Sequence, residues 1–121
     1  MAQPTEFLPI VEKLLDKTRQ GKIEWKPTYE EMVFICAIEG QYSFEIKKGL
    51  TSGGAGFRKL TMKGTGEEEL VVFRAAYPTQ QTSTENDRLF EQLDELYDRA
   101  RRLALNIDEK VQNVSAILDK L

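Results

Sequence analysis

From Glu31 to Ala76 the apolar residues fall into four successive runs, and the connections between those runs are short. No other feature constrains the fold as much. Period-two alternation marks strands with one buried face. Strands joined by only a few residues run antiparallel, because a parallel crossover needs a dozen residues or more. The first run, "MVFICAI", is nearly continuously apolar and dense in β-branched and aromatic residues, which suits a buried central strand. "EGQ" then supplies a turn. "YSFEIKK" alternates cleanly, with Tyr42, Phe44 and Ile46 on one face and Ser43, Glu45 and Lys47 on the other. "FRKLTMK" and "LVVFRAAY" complete a four-stranded meander over 31–76, joined by "GLTSGGAG" and "GTGEEE".

Helical spacing brackets this segment. Leu8, Val11, Leu14, Leu15 and Thr18 share one face of a helix predicted over 8–20, with Pro9 tolerated in its first turn. Gly21 supplies the left-handed position that ends many helices. "KIEW" then runs extended to Pro27, with Ile23 and Trp25 over the core edge and Glu24 and Lys26 toward water. After a polar linker over 77–84, Leu89, Leu93, Leu96, Ala100 and Leu103 repeat at alternating four- and three-residue spacing in a helix over 85–104. Ser83 or Thr84 can cap it. Asn106 and Glu109 form a capping-box pattern ahead of a last helix over 107–120, whose apolar face is Ile107, Val111, Val114, Leu118 and Leu121. The expected fold is α+β and a single domain: an N-terminal helix, a four-stranded antiparallel meander, and two C-terminal helices packed on one sheet face.

Composition fits that size and class. The chain has 121 residues, 40% hydrophobic and 31% charged, enough for one core without staples. Its net charge of −3, with the acidic excess after Ser83, gives no overall attraction to nucleic acid or anionic membrane. A single cysteine excludes an internal disulfide. The opening "MAQPTEFLPIVEK" lacks the basic start and apolar run of a leader, and no apolar run nears the roughly 18 residues of a membrane span. A cytoplasmic location is the expectation.

Several chemistries fail on residue type. With no histidine, Ser-His and Cys-His nucleophiles and His-ligated metals are excluded. Cys36 lies inside "VFICAI", where a packed, inert thiol is expected. Glu24-Lys26 and Glu45-Lys47 match the Glu-x-Lys triplet of restriction-type nucleases. That site also needs an upstream aspartate, and none lies between Lys17 and Asp87, so a metal-dependent hydrolase ranks third among the readings, behind protein interaction and nucleic-acid binding. "GLTSGGAG" joins two strands instead of leading into a helix, so it is no phosphate loop. The carboxylates of "GTGEEE" are consecutive, unlike the spaced ligands of a calcium loop. No catalytic residue, metal ligand or cofactor is expected.

Interaction remains as the expected activity. A meander covered on one face leaves the other open. If Met32, Phe34, Cys36 and Ile38 point there while Val33, Ile35 and Ala37 point inward, a second subunit or protein partner would cover the patch. Trp25, Met32, Phe34, Ile38 and Tyr97 are the candidate partner-binding residues. The alternative is a basic patch for single-stranded nucleic acid, built from Lys47, Lys48, Arg58 and Lys59 with Phe57 for stacking. The acidic total and an element order unlike RNA-recognition modules rank it second.

Two segments carry a resemblance. "LLDKTRQGKIEW", through Leu14, Leu15, Thr18, Gly21, Lys22 and Trp25, resembles the opening of small bacterial proteins of uncharacterised function. "LDELYDRARRLALNIDE", through Leu96, Tyr97, Ala100, Arg101, Ala104, Leu105 and Asn106, is similar to their closing segment. The resemblance implies a bacterial or phage origin and an α-β-meander-α domain, with no activity attached.

Packing is the expected role of Trp25, since its large area serves a core best. Its fluorescence should therefore be blue-shifted and resist iodide quenching in the isolated protein. A red, fully quenched emission would place the indole at the surface.

Overall fold

The computed structural model describes residues 5–121; Met1 to Pro4, part of the stretch read for a leader, lie outside the described residues. A 3₁₀ turn, Thr5–Phe7, leads into α1 (Leu8–Arg19). Five strands follow: β1 (Lys26–Pro27), β2 (Val33–Ile38), β3 (Tyr42–Leu50), β4 (Gly56–Lys63) and β5 (Glu69–Ala76). Two helices close the chain, α2 (Thr84–Ala104) and α3 (Ile107–Asp119). The strands form one antiparallel sheet in sequence order, β1-β2-β3-β4-β5. No helix among the described residues is long and apolar enough to cross a membrane.

The local signals act as their chemistry dictates. Gly21 adopts φ 74°, and the Lys22 N–H donates to the Lys17 carbonyl to close the end of α1. Ile38 to Gln41 form the tight β2–β3 turn, with Glu39 and Gly40 both at positive φ and Gln41 N–H donating to Ile38 O at 3.0 Å. At the start of α2, Ser83 Oγ accepts the Asn86 N–H at 3.0 Å. The Asn86 amide in turn exchanges two 2.9 Å hydrogen bonds with the Ala76 backbone, tying the first turn of α2 to the end of β5.

The core lies between α1, α2 and one sheet face. From α2 come Leu89, Phe90, Leu93, Leu96, Tyr97 and Ala100; from α1, Val11, Leu14 and Leu15. The sheet contributes Phe34, Cys36, Phe44, Ile46, Leu60, Phe73 and Ala75. Full burial of a large apolar side chain is worth about 1.5–3 kcal/mol, so this one layer supplies the dominant stabilisation. Trp25 is buried at its edge and donates its indole N–H to Thr18 Oγ1 at 3.1 Å, which joins the end of α1 to the strand that follows.

Three expectations need correction. The sheet has five strands where four were expected. The extended "KIEW" segment passes beside β2, and its last residues reach register, Lys26 opposite Ile35 and Pro27 opposite Phe34. A proline has no N–H to continue the ladder, so the pairing is short and stays at the edge. Next, β2 faces the other way from the orientation that would leave Phe34 and Cys36 on the open face. Both are buried beneath the helices, while Ile35 and Ala37 face outward. A nearly continuous apolar run does not specify its own face; here the register with β3 sets it, Phe34 opposite Ile46 and Cys36 opposite Phe44.

The last correction concerns α3, which contacts α2 alone and buries no side chain. Asn106, in the left-handed conformation at φ 51°, swings the chain away from the sheet, and its side chain makes no capping bond. An ion pair, Arg102 to Asp108 at 2.7 Å, holds the corner.

Across α1 and α2, Arg19 donates from two nitrogens to the two Glu95 oxygens, with Nε–Oε2 at 2.7 Å; Arg99 adds a bond at 2.6 Å. The Arg19 bond, with Arg99 beside it, lowers the Glu95 carboxyl to about 2. A depressed carboxyl pKa stabilises the fold above its ordinary value of 4.5 and loses that effect as the pH falls toward 2. Glu95→Gln should therefore be less stable than the parent at neutral pH, and the gap should close across that window. Urea unfolding of both proteins along a pH series checks this. A gap independent of pH would mean that the ion pair contributes no linkage.

Candidate functional site

A groove of about 740 Å3 opens on the helix side of the sheet, between the 28–32 loop and the C-terminal half of α2. Its loop wall is shaped by Thr28, whose hydroxyl accepts the Glu30 N–H at 3.1 Å and donates to the Val33 carbonyl at 2.9 Å. Asp94, Tyr97, Asp98 and Arg101 line the helix wall at the spacing of one α-helical face. The floor is Phe34, Lys48 and Arg58.

Arg58 is the unusual residue. It lies opposite Lys48 on the inner face of the sheet and is buried. Its Nε donates to Asp94 Oδ1 at 2.9 Å, and Nη1 donates to the Phe57 carbonyl at 3.1 Å. The guanidinium stands 5.0 Å from the Phe90 ring centroid and 5.7 Å from that of Tyr97. Such a site suits arginine, whose planar, weakly hydrated head can bond at its edge and stack on its faces. Tyr97 is the hub of the groove. It meets the Phe34 ring edge-on at 5.7 Å, lies beneath Lys48 Nζ at 5.9 Å, and places its hydroxyl 3.4 Å from Met32 Sδ. Burial raises its phenol above the ordinary value, which keeps the hydroxyl protonated.

The structure regroups the residues singled out from the sequence. Met32, Phe34 and Tyr97 meet in this groove, together with Lys48 and Arg58 from the basic set. Phe34 and Tyr97 are buried and shape the groove from within, while Met32 is nearly half exposed on its lip. Trp25 is sealed in the core, and Ile38 sits half-buried at the opposite end of β2. The five basic-patch residues do not form one surface. Lys48 and Arg58 face the helices, whereas Lys47, Phe57 and Lys59 lie on the outer face of the sheet. Sequence reasoning did not select Tyr29, Asp94 and Arg101. A one-turn-apart reading of the polar side of α2 would have paired Asp94, Asp98 and Arg101 with Tyr97, but nothing in the sequence points the 28–32 loop at them.

The groove carries cations (Lys48, Arg58, Arg101) and anions (Glu30, Glu31, Asp94, Asp98) around aromatic surface. That mixture suits a protein surface better than a small ion. Among the described residues no three His, Cys, Asp or Glu side chains converge as metal ligands would. Cys36 is buried, and burial pushes its thiol up to about 12, far from a reactive thiolate. Glu45 and Lys47 share the outer face, but Glu45 bonds Lys63 at 3.1 Å instead. Compared with protein-family models, with curated proteins and with solved structures, the chain matches none.

Losing the Arg58 head group should disturb packing as well as charge. Arg58→Ala leaves two ring faces and Asp94 without their partner and should destabilise the fold by about 2 kcal/mol. Arg58→Lys should recover only part of this, because an ammonium cannot bond and stack at once. Chemical denaturation of the two variants reads the difference; full rescue by lysine would refute the stacking role.

Proposed function

We propose that this chain is a non-enzymatic protein-interaction domain that associates with a second copy of itself through α3. The carrying observation is the bare apolar stripe of that helix. Val111, Val114, Ile117 and Leu118, with Leu121 just past the C-cap, are between 54% and 95% exposed. A helix of 13 residues is marginal on its own in water and takes most of its stability from burying such a stripe. In the isolated chain that burial is missing.

The stripe also favours a copy of itself as occupant. Its side chains are spaced symmetrically about Val114: Ile107 and Leu121 lie seven residues to either side, Lys110 and Ile117 or Val111 and Leu118 three or four. An antiparallel copy therefore brings Ile107 to Leu121, Val111 to Ile117 and Val114 to Val114, apolar in every one of these layers. Only Lys110, opposite Leu118, interrupts the stripe, and a lysine stem can lie along apolar surface with its ammonium in water. Isologous pairing of this kind is the commonest route to a closed dimer. Antiparallel packing also opposes the two helix dipoles. The groove around Tyr97 runs to the same junction through Leu105, so a dimer built on α3 sets the two grooves beside the shared interface.

Light scattering across micromolar concentrations tests this reading. The parent chain should associate, and Val114→Asp with Leu118→Asp should hold it monomeric. Both side chains are exposed, so the thermal stability of the variant monomer should stay within about 0.5 kcal/mol of the parent monomer. A parent chain that is strictly monomeric throughout that range overturns self-association.

A further inference from the structure

The apolar face of α2 does not stop where the helix stops. Counted in sevens from Leu93, it continues through Ala100, Ile107, Val114 and Leu121. A second series runs through Leu96, Leu103, Lys110 and Ile117, and a third, from Phe90 to Leu118, is aromatic or aliphatic throughout. All three cross from α2 into α3 without losing phase, and Lys110 is their single charged member. Two helices that fold independently have no reason to share a phase. One continuous helix does, because a strict seven-residue repeat keeps its seam on one side. Up to Ala100 the seam is buried against the sheet; from Leu103 onward none of it is buried.

The break that interrupts it is a weak one. The junction "LALNIDE" holds neither proline nor glycine. Asn106 turns the chain at a left-handed φ of 51°, which costs any residue with a Cβ more than it costs glycine. The Leu105 N–H still bonds the Arg101 carbonyl at 3.0 Å, and the helical pattern first slips at Asn106, whose N–H reaches the Leu103 carbonyl at 3.3 Å. Among the described residues the N–H groups of Ile107, Asp108 and Glu109 make no hydrogen bond within the chain. In a continuous helix they donate to the carbonyls of Leu103, Ala104 and Leu105. Against that gain stands the exposed ion pair of Arg102 with Asp108, and exposed pairs contribute little.

We infer that α2 and α3 straighten into one continuous helix when two copies associate, carrying the seam unbroken from the sheet into the dimer contact. The inference rests on association through α3. In that antiparallel pairing the second copy's Leu121 lies beside Ile107, and the hole that receives it is completed by the preceding turn, Leu103 and Ala104. With the chain bent at Asn106, that turn leaves the line of α3. Straightened, it closes the hole and covers Leu103, which is 44% exposed in the single chain. Association thus favours the straight form by its better contact.

Spin labels at Glu91→Cys and Gln112→Cys read the change by pulsed electron resonance. Both positions are exposed and off the seam, and Cys36 is buried and does not compete for the label. One straight helix sets these sites about 32 Å apart, at 1.5 Å per residue, and a bend shortens the separation. Labelled chain diluted in excess unlabelled chain reports the distance within one molecule. The dimer should give the long distance, and the monomeric Val114→Asp, Leu118→Asp variant the short one. By light scattering, Asn106→Ala should associate at least about fivefold more tightly than Asn106→Gly, since alanine favours the helix and glycine the left-handed turn. A distance unchanged between monomer and dimer, or equal association of the two Asn106 variants, overturns straightening and leaves association through α3 standing. A parent chain that never associates overturns both.

Discussion

The fit of α2 against the inner face of the sheet organises everything else. Leu93, Leu96 and Ala100 are fully buried on it, and they cover Phe34, Ile46, Leu60 and Phe73 from four different strands. A meander alone cannot hide one face from water, and a lone helix cannot hide its stripe. Each therefore solves the other's problem. The first turn of α2 is pinned to β5 through Asn86, its middle is clamped to α1 through Glu95, and its last turns form a wall of the groove.

A cation sits inside that interface. Arg58 occupies a sheet position whose row is otherwise apolar from Leu60 onward, yet it is satisfied on every side by Asp94, a backbone carbonyl and two aromatic rings. No buried side-chain polar atom among the described residues lacks a partner, so this polar insertion carries no unpaired-group penalty. It also divides the basic residues by role. Those facing inward, Arg58 and Lys48, organise the groove; those facing outward are left to the solvent side of the sheet.

One surface remains energetically incomplete in the single chain. On α3 the missing term is apolar burial, which salt does not screen and which any apolar surface of matching shape can supply.

Much of the fold was legible in local pattern. The ends of α1 and α2, the meander order, the tight turn at Gly40 and the burial of Trp25 each follow from a few adjacent residues whose preferences agree. Less of the site was. Tyr97 and Met32 were both singled out, but the groove that unites them exists only because β2 presents Phe34 inward, and "MVFICAI" is apolar on both faces. The sequence by itself determined which segments are helix and strand and that neighbouring strands pair antiparallel, because these depend on interactions over a few residues. Only the tertiary structure decided which face of β2 is covered, that Arg58 is buried while Lys59 is not, and that α3 leaves the sheet at Asn106. Those outcomes depend on cross-strand register and on how one helix fills the sheet, and both are settled between residues far apart in the chain.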